Sequence, residues 1–486
     1  MKKLAIILLL LTHINLTAQV RTNPQDSLAA DKIVKQLVGF YNNEEFPAMH
    51  KMLSDQFRQN TAESSTISFY RDNLKTPFGK INGYHYAGPG KRGTNFVVSF
   101  ERSKISLEIM FNNSNQVTGI LWQPLENIKV ILHPRDPKSI KTNNPRKTPL
   151  HIKVDAVAMD YLKDPNNCGL SIGILDHDKT EFFFYGETKK GNNELPGSSS
   201  LYEIASISKT FTAIMLAHAV NEGKIKLSDD IRKYLPGDFT NLQFEGKPIK
   251  IINLSNHTAG LPSIPADFDQ QTGYDPANPY LHYPKDRIYN FLKKYKPGTL
   301  PGSTSVYSNM GFALLGIILE NAYQLPLDKI LQKTITGPLK MKDTQYELAI
   351  PQEKLLVTGY SAETGKAVSY WNLAAFKAAG GLKSNVADMS LYLKANMNEI
   401  NADYRLSHSS TDHQEDFDRG LAWMIQPLDN NTVIWHNGGT GGFRSYCGFV
   451  KDKKAGVIIL SNSSASVDDA GLELLSGIIY SAVPQK

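Results

Sequence analysis

The sequence has little sulfur chemistry and no long apolar runs beyond its first residues. Its two cysteines, Cys168 and Cys447, lack the His or Cys neighbours of a metal site. Nothing in the pattern demands a bridge between them, so two free thiols are expected. No segment after the amino terminus is long and apolar enough to span a bilayer, no internal repeat is visible, and no phosphate-binding loop is found. No nucleophile elbow of the α/β-hydrolase kind is read, which argues against an esterase of that fold. The formal charge of +6 is mild for 486 residues.

Two domains are the natural expectation at this length. Met1-Lys2-Lys3 and the apolar Leu4 to Leu11 read as a signal peptide over residues 1–18, with Leu16-Thr17-Ala18 before the cleavage point. No cysteine follows that could carry a lipid. Loss of Lys2 and Lys3 leaves a charge of +4. Part of the remaining charge sits between Lys129 and Lys147, where six basic residues face one acid and four prolines punctuate 134–149. That stretch, 126–149, reads as an extended linker. The absence of interleaved aromatics argues against a nucleic-acid arm.

Before the linker, residues 26–125 read as a small α+β accessory domain. Helical spacing over Ala30 to Tyr41, Phe46 to Phe57 and Ser65 to Leu74 precedes four strand-like runs, Ile81 to Tyr86, Asn95 to Phe100, Ile105 to Phe111 and Val117 to Trp122. The order of elements faintly resembles the nuclear-transport-factor-like fold. After the linker, His151 to Leu162 reads as a helix, Leu170 to Tyr185 as a hairpin, and Val467 to Val483 as a closing helix. Thr432 to Leu460 holds three further strands. Strands near both ends with helices between them predict an antiparallel sheet assembled from the termini, and a largely helical subdomain over Thr210 to Leu406.

Three remote segments carry chemistry. Ser206-Ile207-Ser208-Lys209 opens a helix that is apolar on nearly all sides up to Val220. Ser206 and Lys209 lie one turn apart on one face. Burial opposes a charged amine, so Lys209 can accept a proton from the serine. Taken alone, Ser-x-x-Lys is a loose string that a capping serine and a solvated lysine would also produce. The apolar helix makes a wet face for Lys209 hard to find. Tyr307-Ser308-Asn309 follows turn-forming Pro-Gly pairs and precedes an apolar helix. A phenol beside an ammonium can be acidified into a base, and Asn309 can hold a substrate carbonyl or orient the lysine. His436-Asn437-Gly438-Gly439 ends a strand. Its glycines allow close approach of a substrate backbone. The N–H groups of Gly439 and Ser206 can form an oxyanion hole, each donor contributing about 3 kcal/mol in the transition state.

With these motifs in this order, the chain from Leu150 onward resembles the serine β-lactamase and penicillin-binding protein superfamily. The nearest branch holds class C β-lactamases, D-Ala-D-Ala carboxypeptidases, D-aminopeptidases and related esterases. Asn256-His257-Thr258-Ala259-Gly260-Leu261-Pro262, Gly337-Pro338-Leu339-Lys340-Met341 and Ala379-Gly380-Gly381-Leu382-Lys383-Ser384 add to the likeness. The resemblance implies Ser206 as the acylated nucleophile. Lys209 and Tyr307 would share the proton traffic, with Tyr307 preferred as general base. Asn309, His436, Gly438 and Gly439 would be substrate-binding. Relatives often carry lysine where His436 stands. A histidine is mostly neutral at pH 7, so an anionic substrate is gripped less firmly. Arg444 is a candidate replacement for that charge.

The expectation is therefore an exported serine hydrolase, periplasmic or secreted, of α+β fold, with no cofactor and no metal. It cleaves an amide or ester through a Ser206 acyl-enzyme, as a D-Ala-D-Ala-type peptidase or an esterase. A true β-lactamase and a non-catalytic penicillin-binding or sensor protein are the alternatives. Its partner would be a small-molecule or peptide substrate, peptidoglycan-derived peptides among them. No nucleic acid and no stable membrane span are expected. His257 reads as structural, and loops Asp267 to Tyr283 and Ser361 to Lys377 are expected to shape the pocket.

Overall fold

The computed structural model describes residues 24–89, 93–112, 114–124, 134–414, 417–428 and 430–481. The signal-peptide reading lies outside these residues. The chain divides into two compact units, 1–132 and 133–486.

In the first unit, α1 (Pro24–Asn42) leads to short helices and a four-stranded antiparallel meander, β1 (Ile81–Pro89), β2 (Thr94–Phe100), β3 (Lys104–Phe111) and β4 (Val117–Pro124). The single helix expected over Phe46 to Phe57 is two. Leu53 bridges to Val117, Ser54 N–H donates to the Val117 carbonyl at 2.8 Å, and the Ser54 hydroxyl caps Phe57 N–H. The backbone is drawn onto β4, and a new helix starts after it. Tyr41, Phe46, Phe96, Phe100 and Trp122 share one core.

The second unit is built on an eight-stranded antiparallel sheet. Its strands are β5 (Gly169–Asp176), β6 (Lys179–Gly186), β7 (Asp412–His413), β8 (Asp418–Arg419), β9 (Met424–Leu428), β10 (Asn431–Gly439), β11 (Arg444–Val450) and β12 (Ala455–Ser461). Their order is β7-β8-β9-β10-β11-β12-β5-β6, so the two ends of the unit meet at β12 and β5. β12 is buried along its whole length. Val457 and Ile459 join the core formed with α2 (Pro149–Leu162) and α6 (Asp468–Ser481). Ile458 and Leu460 join the core shared with α5 (Val386–Met397) and the helical region. Alternation of side chains across a strand covered on both faces accounts for this unbroken apolar run. The central helices of that region, α3 (Ser208–Asn221) and α4 (Asn309–Tyr323), are buried over most of their residues.

Two sequence expectations change. The string Gly-x-Ser-x-Gly does occur, as Gly169-Leu170-Ser171-Ile172-Gly173, but it runs inside β5. Ser171 is fully buried and its hydroxyl meets Tyr202 Oη at 2.9 Å, so it is no elbow. The linker reading also fails from residue 134 onward. Arg135 N–H donates to the Lys163 carbonyl, Gly186 N–H to the Lys141 carbonyl, and Thr142 bridges Tyr185. Ile140 sits in the core with α2. Residues 134–148 thus form a strap, of which Lys141 to Asn143 pair along the outer edge of β6. Their prolines suit the role, because an edge can be covered without continuing the ladder.

Both cysteines are buried and free. Burial raises the Cys168 thiol to about 11 and the Cys447 thiol further. Among the described residues, no single helix is long and apolar enough to cross a membrane.

Candidate active site

Ser206 lies in a tight 3-10 turn, Ala205–Ile207, that feeds α3. Ala205 before it adopts φ +47° while buried. A left-handed alanine costs about 1–2 kcal/mol, held here by the packing around the turn. Ile204 N–H donates to the Leu382 carbonyl, and Leu382 N–H donates to Ser208 Oγ at 3.1 Å. The Ala379–Ser384 segment singled out in the sequence therefore anchors the nucleophile.

Lys209 is fully buried. Its Nζ lies 3.1 Å from Ser206 Oγ, 2.8 Å from Asn309 Oδ1 and 2.6 Å from the Ala379 carbonyl oxygen. Desolvation pushes its pKa well below the usual lysine range. Tyr307 Oη donates to Ser206 Oγ at 2.8 Å. The phenol is raised, to about 12, chiefly by desolvation and against the bond to Ser206. The residue as a whole is 44% exposed, which weakens that push. Even unshifted, a phenol is protonated at pH 7. Burial of both groups thus works against the acidification of Tyr307 by the lysine.

The proton inventory agrees with this. A neutral Lys209 has two N–H donors and one lone pair. Asn309 Oδ1 and the Ala379 carbonyl can accept only, so they take both donors. In that form the lone pair would face the Ser206 hydroxyl, whereas a charged Lys209 donates to Ser206 Oγ; Tyr307 donates to the same oxygen. Asn309 orients the lysine, and its Nδ2 lies 3.4 Å from Tyr280 Oη.

β10 brings the third segment alongside. An ideal Cβ on Gly438 would lie 2.6 Å from Ser445 Oγ and 2.9 Å from Ser206 N, so only glycine lets the strand pass this close. Gly439, Ser206 and Asn309 line one cleft of roughly 280 Å³, with Tyr280, Trp371 and Phe376 as its aromatic wall. The other β10 candidates do not line it. His436 is buried, and its Nδ1–H donates to the Asn437 carbonyl. Burial above all lowers it to about 3. Asn437 Nδ2 donates to Asp468. Arg444 Nη1 donates to the carbonyls of Thr440 and Phe443, clasping the β10–β11 turn.

Sequence reasoning missed the Ala379 carbonyl, which no side-chain motif can reveal. It also missed Glu203, buried with its carboxyl raised by desolvation, whose Oε1 accepts Trp371 N–H at 2.7 Å. Tyr280 and Trp371 fall on the two loops expected to shape the pocket. Among the described residues, no cluster of three or more His, Cys, Asp or Glu could hold a metal ion.

Two neutral histidines, His257 and His436, make a stability prediction. Both have folded values lowered by burial. Below about 6.5 the unfolded chain takes up protons that the folded protein refuses, so stability falls as pH drops from about 6.5 toward 3. Each contributes up to about 1.4 kcal/mol per pH unit in that window. Thermal melts from pH 7.5 to 4.5 of wild type and His436→Asn check this. The gap between them should move in favour of the variant as pH falls, and a constant gap contradicts it.

A hydroxyl, a buried amine and a phenol joined at one oxygen, beside a strand edge of an antiparallel sheet, define a serine acyl-transfer enzyme. The family model described as Beta-lactamase matches residues 154–476. The chain belongs to the Beta-lactamase family, whose members are serine hydrolases acting through an acyl-enzyme. It is 29% identical over 334 residues to the D-alanyl-D-alanine-carboxypeptidase/endopeptidase AmpH of Escherichia coli (strain K12), covering 64% of this chain and 83% of that protein. It is 26% identical over 351 residues to a Beta-lactamase of Pseudomonas fluorescens, covering 64% and 93%. The crystal structure of a Beta-Lactamase/D-Alanine Carboxypeptidase from Pseudomonas syringae shares the fold, with a TM-score of 0.60 and 23% identity over 69% of this chain and all of that one.

Proposed function

We propose that this protein is an exported serine hydrolase, periplasmic or secreted, that cleaves D-Ala-D-Ala-type peptides or esters. The observation that carries the chemistry is Ser206 Oγ held between Lys209 Nζ and Tyr307 Oη at 3.1 and 2.8 Å. Lys209 takes the Ser206 proton as Oγ attacks the acyl carbon. As the bond to the leaving group breaks, Tyr307 gives it a proton and is reprotonated from Lys209. Water then hydrolyses the ester and regenerates the serine. The N–H groups of Ser206 and Gly439 face the developing oxyanion. The reading differs from the sequence expectation in making Lys209 the acceptor.

Substrate class follows from charge. His436 is neutral and turned to its own backbone, and Arg444 is spent on the β10–β11 turn. Neither His436 nor Arg444 is thus left to grip a carboxylate on the leaving group, which favours esters and peptides over anionic β-lactams. The likeness to curated β-lactamases supports a β-lactamase as the second reading. Residues 1–18 act as the export signal, and 26–125 form an accessory domain.

The test is intact-mass detection of the acyl-enzyme, with turnover measured on D-Ala-D-Ala peptides, D-aminoacyl amides, short esters and a chromogenic cephalosporin. Adducts on wild type and none on Ser206→Ala are expected, with esters or peptides turned over fastest. Fastest turnover of the cephalosporin would establish the β-lactamase instead. No adduct with any probe would leave a non-catalytic binding or sensor protein.

A further inference from the structure

The phenol that meets Ser206 sits on an open loop. Tyr307 is 44% exposed and Val306 beside it 50%, so part of this loop faces solvent. Its inner face lies against the His257 imidazole, with centroids 4.5 Å apart, and Phe312 backs His257 at 5.1 Å. His257 also grips the chain on both sides of Tyr307. Its carbonyl accepts Val306 N–H at 2.9 Å and its Nδ1 accepts Ser308 N–H at 3.0 Å. The ring proton is therefore on Nε2. His257 itself is buried with φ +60°. Its backbone is held in turn by Arg419, on β8 and 8% exposed. Arg419 Nη1 donates to the Asn256 carbonyl, to Ser305 Oγ at 2.9 Å and to Asp412 Oδ2 at 3.2 Å. One guanidinium nitrogen thus ties the residue before His257 to the residue two before Tyr307.

We propose that His257 and Arg419 are positioning residues, a two-point clamp that holds the Tyr307 hydroxyl on Ser206 Oγ. This rests on the serine-hydrolase reading above. The clamp works only with a neutral imidazole, since a protonated Nδ1 would repel Ser308 N–H. The groups that act on His257 are Lys209, Arg419 and His436, of which Arg419 is countered by Asp412. No carboxylate among them favours a protonated ring.

The test follows the acylation rate of the full chain with a short p-nitrophenyl ester. His257→Leu keeps an apolar contact for the phenol but loses the Nδ1 acceptor. His257→Asn restores an acceptor near that position, and Ser305→Ala removes one arm of Arg419 without touching the core. His257→Leu should acylate at least about tenfold more slowly with an almost unchanged apparent KM, since misplacing a proton-transfer group slows chemistry rather than binding. His257→Asn should recover most of the rate, and Ser305→Ala should fall a few-fold. Rates for His257→Leu within threefold of wild type, or no recovery in His257→Asn, overturn the clamp. If His257→Leu does not fold, an unchanged rate in Ser305→Ala or a rate for His257→Asn at least tenfold below wild type overturns it. A wild type that is never acylated at Ser206 removes the hydrolase reading, and the clamp falls with it, a result distinct from a labelled wild type with indifferent variants.

Discussion

Lys209→Met is expected to slow acylation of Ser206 on the order of 10³-fold, the usual range for loss of a positioned proton acceptor, or about 4 kcal/mol in the barrier. Methionine is unbranched and similar in length, so the buried channel stays filled. The Ser206 hydroxyl then has a phenol that donates to it and no base to take its proton. Stability moves in two directions. The carbonyls of Asn309 and Ala379 lose their donor, at about 1–3 kcal/mol for each group left unpaired. Against that, Lys209 opposes folding in the wild type. Its folded value is depressed, so the unfolded chain binds the proton more tightly, and the penalty grows as pH falls below about 10.5. The variant should therefore gain on the wild type as pH is lowered. Single-turnover acylation followed by mass, with melts at pH 9 and pH 6, checks both parts. Acylation within tenfold of wild type would rule out the lysine as acceptor. Lys209→Arg should fail equally, since a guanidinium keeps its proton.

The second large effect falls on Gly438. Its missing side chain is the space between β10 and the turn that carries Ser206. An added Cβ would press on the Ile204 carbonyl and approach Ser206 N to 2.9 Å. Both are backbone atoms of a turn strained at Ala205, and neither can yield alone. Gly438→Ala should cost about 1–3 kcal/mol of stability through overpacking and slow acylation about a hundredfold, because the nucleophile shifts relative to Lys209 and Tyr307. Gly439→Ala is the control. Its Cβ would meet only the guanidinium end of Arg444, a flexible side chain that can move aside. Equal losses of stability in the two variants, measured by thermal melt, would contradict the close-packing argument.

What the sequence made legible was periodic or tied to a side-chain motif. The apolar helix after Ser206, the apolar strands near the carboxyl end and the four-strand meander each leave a local pattern, and each lies where expected. The three motifs revealed which residues take part. They could not reveal how each faces. His436, Asn437 and Arg444 all sit at the anticipated strand end, yet their side chains turn to backbone or to Asp468. Orientation of this kind is set by neighbours far away in the chain. The protonation order is hidden for a similar reason: desolvation depends on what surrounds a group, and the sequence displays only the group. The strap at 134–148 was mistaken for free chain because prolines and lysines suit both, and only the partner strand distinguishes them.

That strap bears on how the catalytic half can be trimmed. A fragment starting at Leu150, where the family likeness begins, would leave the outermost ladder of the sheet bare beside Phe182 and Phe184, open to sideways stacking with another copy. A fragment starting near Pro134 carries its own cover, so sixteen residues with no catalytic role decide whether the isolated hydrolase stays single or clumps.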